Sequence, residues 1–343
     1  MTTVYRFSFG PWNIHSGADN FGPEVRAEFS FADKLEFYKQ LGFDGVQFHD
    51  DDVVSNADDP WVKQEAEAKT MRRILDERGL EAEFVAPRLW EHPLTVDGAI
   101  TANSAEARRY ALERSKRAVD IANILGCRNI VLWPAREGTY LREAKDPVVV
   151  VSRLVDWINA LLEYDKNIRI LGEMKPNEPM DHAYVPTTGH FLGLASLTVD
   201  PSRVGALIES AHTILAGLDP SDEMAYALYH KKLWSVHLND QNGLKFDEDK
   251  SFGVVDLRRA FNQVWVLERN GYGQNGEFIG LDVKALRTQS KETSTKHLRN
   301  SRAIFLRLVD LCRTLDVAKV EDLRAARDYE ELDLMIVNHL LGS

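Results

Sequence analysis

The segment SVHLNDQNGLKFDED, residues 235–249, completes a short apolar run at His237 and then carries two acidic residues, Asp247 and Asp249, one position apart. Side chains alternate along extended backbone, so we expect an Asp-x-Asp sequence on such backbone to direct both carboxylates to one side. Two carboxylates directed at one point repel each other unless a cation lies between them. A solvated acidic loop is the plainer interpretation, and a metal site is favoured only if other strands end in similar residues.

The rest of the chain alternates short apolar runs, typical of buried strands, with longer segments of helical period, and the alternation repeats eight times. The predicted strands are residues 4–9, 45–49, 81–86, 129–133, 169–173, 204–209, 234–238 and 278–282. The predicted helices are residues 31–41, 61–79, 105–125, 148–164, 224–232, 257–270 and 294–315. Gly42, Gly79 and Gly126 are expected to end three of them in left-handed conformation. Strict β-then-α order predicts a parallel sheet, and eight units predict its closure into a barrel.

An open, doubly wound α/β sheet is the competing architecture. Such a sheet normally carries a glycine-rich phosphate loop after its first strand, and FGPWNIHSG, residues 9–17, is not one. We therefore expect an α/β protein whose catalytic domain, residues 1–315, is a (β/α)8 TIM barrel. Residues 316–343 are expected to form a short C-terminal helical tail, whose apolar stripe predicts an oligomer contact.

Composition and charge restrict the class of protein. The 343 residues carry a net charge of −11, which disfavours a nucleic-acid-binding protein, although bound metals supply local positive charge in a metal-dependent nuclease. The two cysteines, Cys127 and Cys312, lie in apolar patterns without metal-type spacing. The N-terminus lacks a signal sequence, and no apolar run approaches membrane-spanning length. We expect a soluble, cytoplasmic protein that binds neither nucleic acid nor a membrane.

Polar side chains follow five of the eight predicted strands, at the end of a barrel where catalytic residues lie. These residues are His49, Asp50, Asp51 and Asp52; Glu173, Lys175 and Glu178; Glu209 and His212; His237, Asp247 and Asp249; and Asp282 and Lys284. Any one of them has a plainer role as a helix cap or as the partner of a lysine. Together they direct more carboxylates at one another than nearby lysines neutralise. Oxygen-rich ligation with one or two imidazoles favours Mg²⁺, Mn²⁺ or Co²⁺, with enough ligands for two ions that share a carboxylate.

Three tryptophans, Trp12, Trp90 and Trp133, are expected near the same rim. Their flat faces suit the C–H side of a sugar, while plain core packing explains each of them equally well.

At these residues the chain resembles the D-xylose isomerase family, the metal-dependent aldose–ketose isomerases, as a divergent, short member. The matching motifs run in family order from about residue 7 to the C-terminus. They are FGPW, LGFDGVQFHDDD, HPLTVDGAITAN, ARRYAL, PAREG, GEMKPNEP, VPTTGH, LNDQNGLKFDEDKSFG, DLRRAF, LDVKALRT and NHLLG.

The resemblance implies a role for each matching residue. His49 corresponds to the ring-opening histidine, Asp52 to the residue that orients its imidazole and fixes the tautomer, and Lys175 to a group that hydrogen-bonds the terminal oxygen of the sugar. The other correspondences are Glu173, Glu209 and Asp282 as ligands of a first metal; Glu209, His212, Asp247 and Asp249 as ligands of a second; Trp12, Trp90 and Trp133 as pocket aromatics; and Phe21 as an aromatic inserted by a neighbouring subunit. The Glu178–Pro179 bond is expected to be cis.

The reaction implied by the resemblance is a 1,2-hydride shift between C2 and C1 of an open-chain sugar, assisted by two divalent ions in a pocket that excludes water. An arginine cluster or a glycine-rich anion site is missing from the strand ends, which disfavours a sugar phosphate. The expected partner is a small unphosphorylated sugar, with D-xylose or D-glucose as the first choice.

The sequence departs from the family pattern at three places. His237 stands where the family has a metal-ligand aspartate; an imidazole there favours Mn²⁺, Co²⁺ or Zn²⁺ and is common in the rhamnose isomerases and ketose epimerases of the same superfamily. Ala86 replaces a hydroxyl residue, and Trp90 replaces a phenylalanine. The tail is about half as long as the family's subunit-embracing arm. A homodimer is expected from Phe21, with a homotetramer as the alternative.

Three other functions remain open. A sugar epimerase or a lyase/deglycosidase would use His49 or Glu173 to abstract a proton from carbon. An endonuclease for abasic DNA is disfavoured by the acidic charge. A non-catalytic sugar-binding protein would have no need of His49 with Asp52, nor of Lys175.

Overall fold

The computed structural model describes residues 3–244 and 246–342, and eight of its strands form a closed parallel barrel. In chain order the barrel strands are β1 (Arg6–Phe9), β2 (Gly45–His49), β3 (Glu81–Ala86), β4 (Asn129–Leu132), β5 (Arg169–Glu173), β6 (Val204–Glu209), β7 (Leu233–Leu238) and β8 (Phe278–Leu281). Each strand pairs with the next in sequence, and β8 pairs with β1 to close the barrel. The predicted (β/α)8 TIM barrel is therefore confirmed.

The strand predictions hold to within two residues. Four strands, β2, β3, β5 and β6, have the predicted bounds, and the other four differ by one or two residues at one end. The agreement follows from burial: every residue of β4, β6 and β8 is buried, which produces the continuous apolar runs typical of parallel strands.

Twelve α-helices cover the barrel and follow it in the described part of the chain. They are α1 (Phe31–Leu41), α2 (Asp50–Val53), α3 (Trp61–Arg78), α4 (Ala105–Leu125), α5 (Pro147–Tyr164), α6 (Thr188–Ala195), α7 (Ser210–Leu215), α8 (Pro220–Tyr229), α9 (Leu257–Arg269), α10 (Lys296–Thr314), α11 (Val317–Ala326) and α12 (Tyr329–Leu341). Gly42, Gly79 and Gly126 end their helices with φ values of 74°, 60° and 78°, as predicted. The short helices α2, α6 and α7 escaped sequence analysis because four to eight residues give too few turns for a periodic pattern.

The barrel interior holds an apolar layer and a buried polar cluster beneath the site. Phe84, Val131 and Leu171 belong to the apolar layer. The carboxylate of Glu83 accepts hydrogen bonds from the hydroxyls of Ser8 and Ser235 and from the side-chain amide of Gln47. Because all its members lie on strands, this cluster fixes the barrel interior on which the catalytic end rests.

The C-terminal tail forms two helices that pack on the barrel's own outer layer. Val320 and Leu323 of α11 are buried, and Met335 and Ile336 of α12 pack against the core. Part of the apolar stripe predicted for the tail thus faces this chain, whereas Tyr329, Leu334 and Leu341 are exposed. The division at residue 315 and the oligomer contact stay predictions, and the terminal residues Met1 and Ser343 lie outside the described residues.

Both cysteines are free and buried, as predicted. Within residues 3–244 and 246–342, no helix combines the length and the apolar character needed to cross a membrane.

Candidate active site

A cavity of about 450 Å³ opens at the carboxyl-terminal end of the barrel. Fourteen residues were predicted as site residues: the thirteen that the resemblance assigns a role, and His237. The cavity lining contains eleven of them, namely Trp12, His49, Trp90, Trp133, Glu173, Lys175, His212, His237, Asp247, Asp249 and Asp282. Glu209 and Asp52 lie directly behind this lining, in contact with His237 and His49 respectively. Phe21 is the exception, because its side chain is 94% exposed and lies outside the cavity lining.

A first cluster of possible metal ligands forms where β5, β6, β7 and β8 end. The Nδ1 atom of His237 lies 3.1 Å from Glu173 Oε1, 3.5 Å from Glu209 Oε2 and 3.9 Å from Asp282 Oδ2. One ligand atom from each of these four residues lies within 4.8 Å of the other three. A single imidazole N–H satisfies one of three converging carboxylates, so the cluster has the donor set and the excess negative charge that suit a divalent cation.

A second cluster shares Glu209 with the first. The Nε2 atom of His212 lies 3.3 Å from Glu209 Oε1 and 3.1 Å from Asp247 Oδ2. Glu209 Oε2 and Asp247 Oδ1 are buried and have no hydrogen-bond partner among the described residues. Unpaired buried carboxylate oxygens are costly, and a bound cation would satisfy them. The residues present therefore fit two cations bridged by Glu209.

Asp249 differs from its sequence prediction. No strand includes residues 246–249, and Asp249 has a φ of 44°, in the left-handed region, so the alternation assumed for extended backbone is wrong here. Its carboxylate forms an ion pair with Lys284 and accepts a hydrogen bond from Asn239 Nδ2 at 3.0 Å. Asn239 also donates to Glu209 Oε1 at 2.9 Å. Asp249 thus lies beside the second cluster with a cation of its own, and its role as a ligand stays a prediction.

Lys175 reaches into the second cluster from the segment after β5. Its Nζ donates to Asp247 Oδ2 at 3.1 Å and to Glu178 Oε2 at 2.9 Å, and it lies 5.6 Å from the ring centroid of Trp133. Burial alone would lower the pKa of Lys175, but the carboxylates of Asp247 and Glu178 outweigh it and raise this pKa. The ammonium is therefore a fixed positive charge at the wall of the cavity. The Glu178–Pro179 bond is cis, as predicted.

His49 contacts two tryptophans of the cavity lining. Its ring centroid lies 4.3 Å from that of Trp12 and 5.2 Å from that of Trp90, and Trp90 in turn contacts Trp133 at 4.4 Å. Trp12 has a second function, because its Nε1 donates to Asp282 Oδ1 at 3.0 Å. The predicted aromatic wall is thus present, and one of its members also orients a possible metal ligand.

Arg88 is a lining residue that sequence analysis missed, as it also missed Phe84 and Glu91. Its Nη2 lies 2.8 Å from His49 Nδ1, closer than the 3.3 Å between Nδ1 and Asp52 Oδ2. Asp52 also accepts a hydrogen bond from the backbone N–H of His49 at 2.8 Å. An arginine two residues after a strand usually points to solvent. The contact joins the segment after β3 to the end of β2, so it becomes visible only in the folded structure.

Protonation compensates for part of the negative charge of the two clusters. Burial raises the pKa of Glu209 to about 7 in spite of His212 nearby. Burial also opposes ionisation of Glu173, but His237 outweighs it and lowers the pKa of Glu173 to about 2. The pKa of His237 is raised well above its usual range, since the carboxylates around it, Glu173 first among them, outweigh burial. Cation binding would displace these protons, so it is expected to strengthen with pH.

Comparison with known proteins agrees with this architecture. Residues 35–272 match the family described as "Xylose isomerase-like TIM barrel". Among solved structures, a D-tagatose 3-epimerase-like protein superposes with a TM-score of 0.64 at 15% identity, covering 89% of this chain and 98% of that chain. A xylose isomerase domain protein from Alicyclobacillus acidocaldarius gives 0.62 at 17% identity, covering 90% and 100%. The 3-keto-D-glucoside 4-epimerase of E. coli gives 0.61 at 17% identity, covering 89% and 100%.

At these identities the solved structures establish the fold alone. The family match, which spans more than half of the chain, goes further. This chain belongs to the family of xylose isomerase-like TIM barrels.

Proposed function

We propose that this protein is a metal-dependent aldose–ketose isomerase that acts on a small unphosphorylated sugar. The observation that carries the proposal is the pair of ligand clusters that share Glu209, with Lys175 hydrogen-bonded to one of them. A single cluster would be enough to hold a sugar. A second cluster joined through one carboxylate suits a reaction in which charge develops on two neighbouring oxygens.

The residues that would hold two divalent ions, Mn²⁺, Mg²⁺ or Co²⁺, are those of the clusters. The first position has Glu173, Glu209, His237 and Asp282 as ligands, and the second has Glu209, His212 and Asp247, with Asp249 beside it. Bound ions would polarise O1 and O2, the oxygens on the two carbon atoms between which hydride passes, and would stabilise the charge that develops there.

The chain's own side chains bind and orient the sugar. Lys175 offers its ammonium group to a terminal sugar oxygen, and His49 offers its imidazole to the ring oxygen. Trp12, Trp90 and Trp133 provide a nearly continuous aromatic surface that excludes water from the carbon atoms. A dry pocket favours hydride migration over proton exchange with solvent, because solvent protons are kept away from C1 and C2.

Charge at the rim supports a neutral substrate. Arg88 pairs with Asp51 at 2.8 Å and Glu91 at 3.2 Å and lies 3.9 Å from Asp52, so its charge is already compensated. Lys284 is paired with Asp249 in the same way. A phosphate group would find no unpaired guanidinium among the described lining residues, so D-xylose and D-glucose are the first candidates.

A sugar epimerase is the second candidate, with a lyase or deglycosidase as a variant of it. His237 favours an epimerase because it completes a first cluster of one imidazole and three carboxylates. Four such ligands are enough to hold one ion, and the reaction would then need no second ion. Two of the solved structures described above carry epimerase names. In such a reaction Glu173 or His49 would exchange a proton with a carbon atom of the sugar.

One experiment separates the two candidates. The protein is stripped with chelator, reloaded separately with Mg²⁺, Mn²⁺ and Co²⁺, and incubated in D₂O with D-xylose, D-glucose, L-rhamnose, D-allose and D-ribose. An isomerase that works by hydride shift yields ketose without deuterium at carbon, whereas proton abstraction incorporates deuterium. Ketose formation should require metal, fail in Lys175→Ala, and persist in Lys166→Ala, which changes an exposed lysine. Full metal occupancy without ketose from any aldose would overturn the proposal.

We further propose that the protein works in the cytoplasm as a homodimer or homotetramer. The exposed Phe21 supports this, because a side chain of that size gains by burial against a second copy. Sedimentation of the wild type and of Phe21→Ser tests it: the wild type should be oligomeric and the variant more dissociated, whereas a monomeric wild type would contradict the proposal.

A further inference from the structure

The imidazole of His49 faces two groups that demand opposite protonation states. A carboxylate such as Asp52 requires a proton on Nδ1, whereas a guanidinium such as Arg88 requires a lone pair there. The interatomic distances favour the arginine, with 2.8 Å from Arg88 Nη2 to Nδ1 against 3.3 Å from Asp52 Oδ2 to Nδ1. Two nitrogens 2.8 Å apart must share a hydrogen, and an arginine in a protein does not lose its own.

Asp52 is engaged elsewhere. Its Oδ2 accepts the backbone N–H of His49 at 2.8 Å, which places the carboxylate at the start of α2. The hydrogen bond from the backbone N–H of His49 therefore explains why Asp52 Oδ2 also lies 3.3 Å from Nδ1. Asp52 shapes the backbone around His49, while Arg88 makes the shorter contact with the ring.

Arg88 is held so that it cannot turn away from His49. Its Nε donates to Asp51 at 2.8 Å and its Nη1 to Glu91 at 3.2 Å, and its guanidinium lies 5.7 Å from the Trp90 ring centroid. Two anchors at different nitrogens fix the plane of a guanidinium and direct the remaining Nη2 at the imidazole. His49, Asp51 and Asp52 also form a compact acidic group, and Arg88 is its resident cation.

We propose that Arg88 is a positioning residue that holds His49 in the neutral form with its proton on Nε2. His49 then presents an N–H donor to the cavity and binds a sugar oxygen, and it does not accept a proton from the substrate. This revises the role implied by resemblance, in which Asp52 sets the tautomer. The catalytic consequence rests on the proposed isomerase function, whereas the tautomer itself rests on the geometry alone.

The location of the proton can be measured without sugar or metal. Protein labelled with ¹⁵N at histidine is observed by two-bond ¹H–¹⁵N correlation between pH 6 and 8, and the His49 signals are assigned by their loss in His49→Gln. The proton is expected on Nε2 in the wild type. Asp52→Asn should leave it there, and Arg88→Met should move it to Nδ1, towards the carboxylate of Asp52.

These variants form a matched pair, because each removes one of the two groups that compete for Nδ1. A wild-type proton on Nδ1 would overturn the proposal, as would a tautomer that changes in Asp52→Asn and survives in Arg88→Met. If Arg88→Met fails to fold, the wild-type and Asp52→Asn spectra still decide the question. Failure of the isomerase assay would leave this measurement unaffected, so the two proposals fail separately.

Kinetics supply a second readout that a merely structural role of Arg88 would not move. For whichever aldose is turned over, the shape of the pH profile of kcat/KM should change in Arg88→Met, because the variant loses the donor that faces Nδ1 of His49 and leaves Asp52 as the polar neighbour of that atom. Arg88→Lys, which keeps a positive donor, should restore the wild-type profile in part. Equal loss of kcat/KM at every pH in both variants would contradict the proposal.

Discussion

Two groups of acidic side chains lie at the same end of the barrel and are neutralised in different ways. The first group follows β2, where Asp50 receives a two-pronged ion pair from Arg114 and Asp51 is paired with Arg88. The second group forms the two clusters around Glu209, where two imidazoles and Lys175 face a larger number of carboxylates. Two arginines serve the three carboxylates of the first group, whereas the two lysines of the second group, Lys175 and Lys284, serve five carboxylates together with two imidazoles.

The comparison teaches that a run of carboxylates predicts a metal site only where the chain supplies too few cations of its own. HDDD after β2 is as acidic in sequence as any segment here, yet arginines from α4 and from the end of β3 occupy its oxygens. Around Glu209, carboxylate oxygens stay unpaired among the described residues. We infer that the first group stabilises the fold and that the second binds ions.

The largest expected effect comes from breaking the shared ligand. Glu209→Gln removes the carboxylate common to both clusters, so the affinity for both ions should fall. Loss of a residue that only supports a metal ligand lowers metal affinity roughly 10–100-fold, and loss of the shared ligand itself should lower it further. Ketose formation should then be undetectable. Isothermal titration with Mn²⁺ measures the loss. Asp51→Asn is the matched control in the other acidic group, and equal loss of Mn²⁺ binding in both variants would contradict the distinction.

Removal of an ion pair from the first group, which follows β2, should lower the stability of the fold and leave metal binding unchanged. Asp50 is 1% exposed, so Arg114→Met leaves a buried carboxylate without its main partner and should lower the free energy of unfolding by about 3–5 kcal/mol. Arg117→Met on the same helix removes a more exposed pair with Asp120 and should cost about 1 kcal/mol at most. Urea unfolding measures both. A destabilisation of Arg114→Met that added Mn²⁺ fully reverses would argue against a structural role.

The pH dependence of stability should distinguish the second group when it is free of metal. Burial places the pKa of Glu209 near 7, and the carboxylates around His237 raise the pKa of that residue. Both folded-state values exceed the unfolded ones, so the stability these protons contribute is present at low pH and is lost as pH rises through the folded values. Each proton changes the free energy of unfolding by at most about 1.4 kcal/mol per pH unit.

Thermal unfolding of chelator-treated protein from pH 6 to 8 measures this effect. The melting temperature should fall as the pH rises from 6 to 8. Added Mn²⁺ should raise the melting temperature, and by more at higher pH. Glu209→Gln should flatten the first trend. A metal-induced increase that is constant with pH would contradict the proposed competition between protons and cations.

The smallest effect concerns Asp249, the acid of the second group that is paired with Lys284. Lys284→Met removes the ammonium paired with Asp249 and frees that carboxylate for the second ion. Removal of a neighbouring charge is worth about 1 kcal/mol at a partly exposed position, so affinity for the second ion should rise roughly fivefold. Titration with Mn²⁺ after the first site is filled gives the value. Unchanged or weaker affinity would show that Asp249 is not available as a ligand.

Sequence analysis predicted the fold well because burial of the strands leaves a continuous apolar signal and glycine marks the helix ends. It also predicted that acids at the carboxyl ends of β5 to β8 converge, as they must in a closed barrel. The contacts that set protonation and charge balance escaped it. Arg88 and Asn239 contact residues of other strands. Lys284 pairs with Asp249, whose left-handed backbone conformation is not predicted by the alternation of side chains along a strand.

The central claim, that Glu209 joins two cation sites, is tested most directly by anomalous diffraction from crystals of the wild-type protein soaked in Mn²⁺. The account predicts two anomalous peaks, one on the side of Glu209 that faces His237 and one on the side that faces His212. A single peak at His237 would leave a one-ion site and favour the epimerase reading. Peaks beside Asp50 or Asp51 with none at Glu209 would contradict the account.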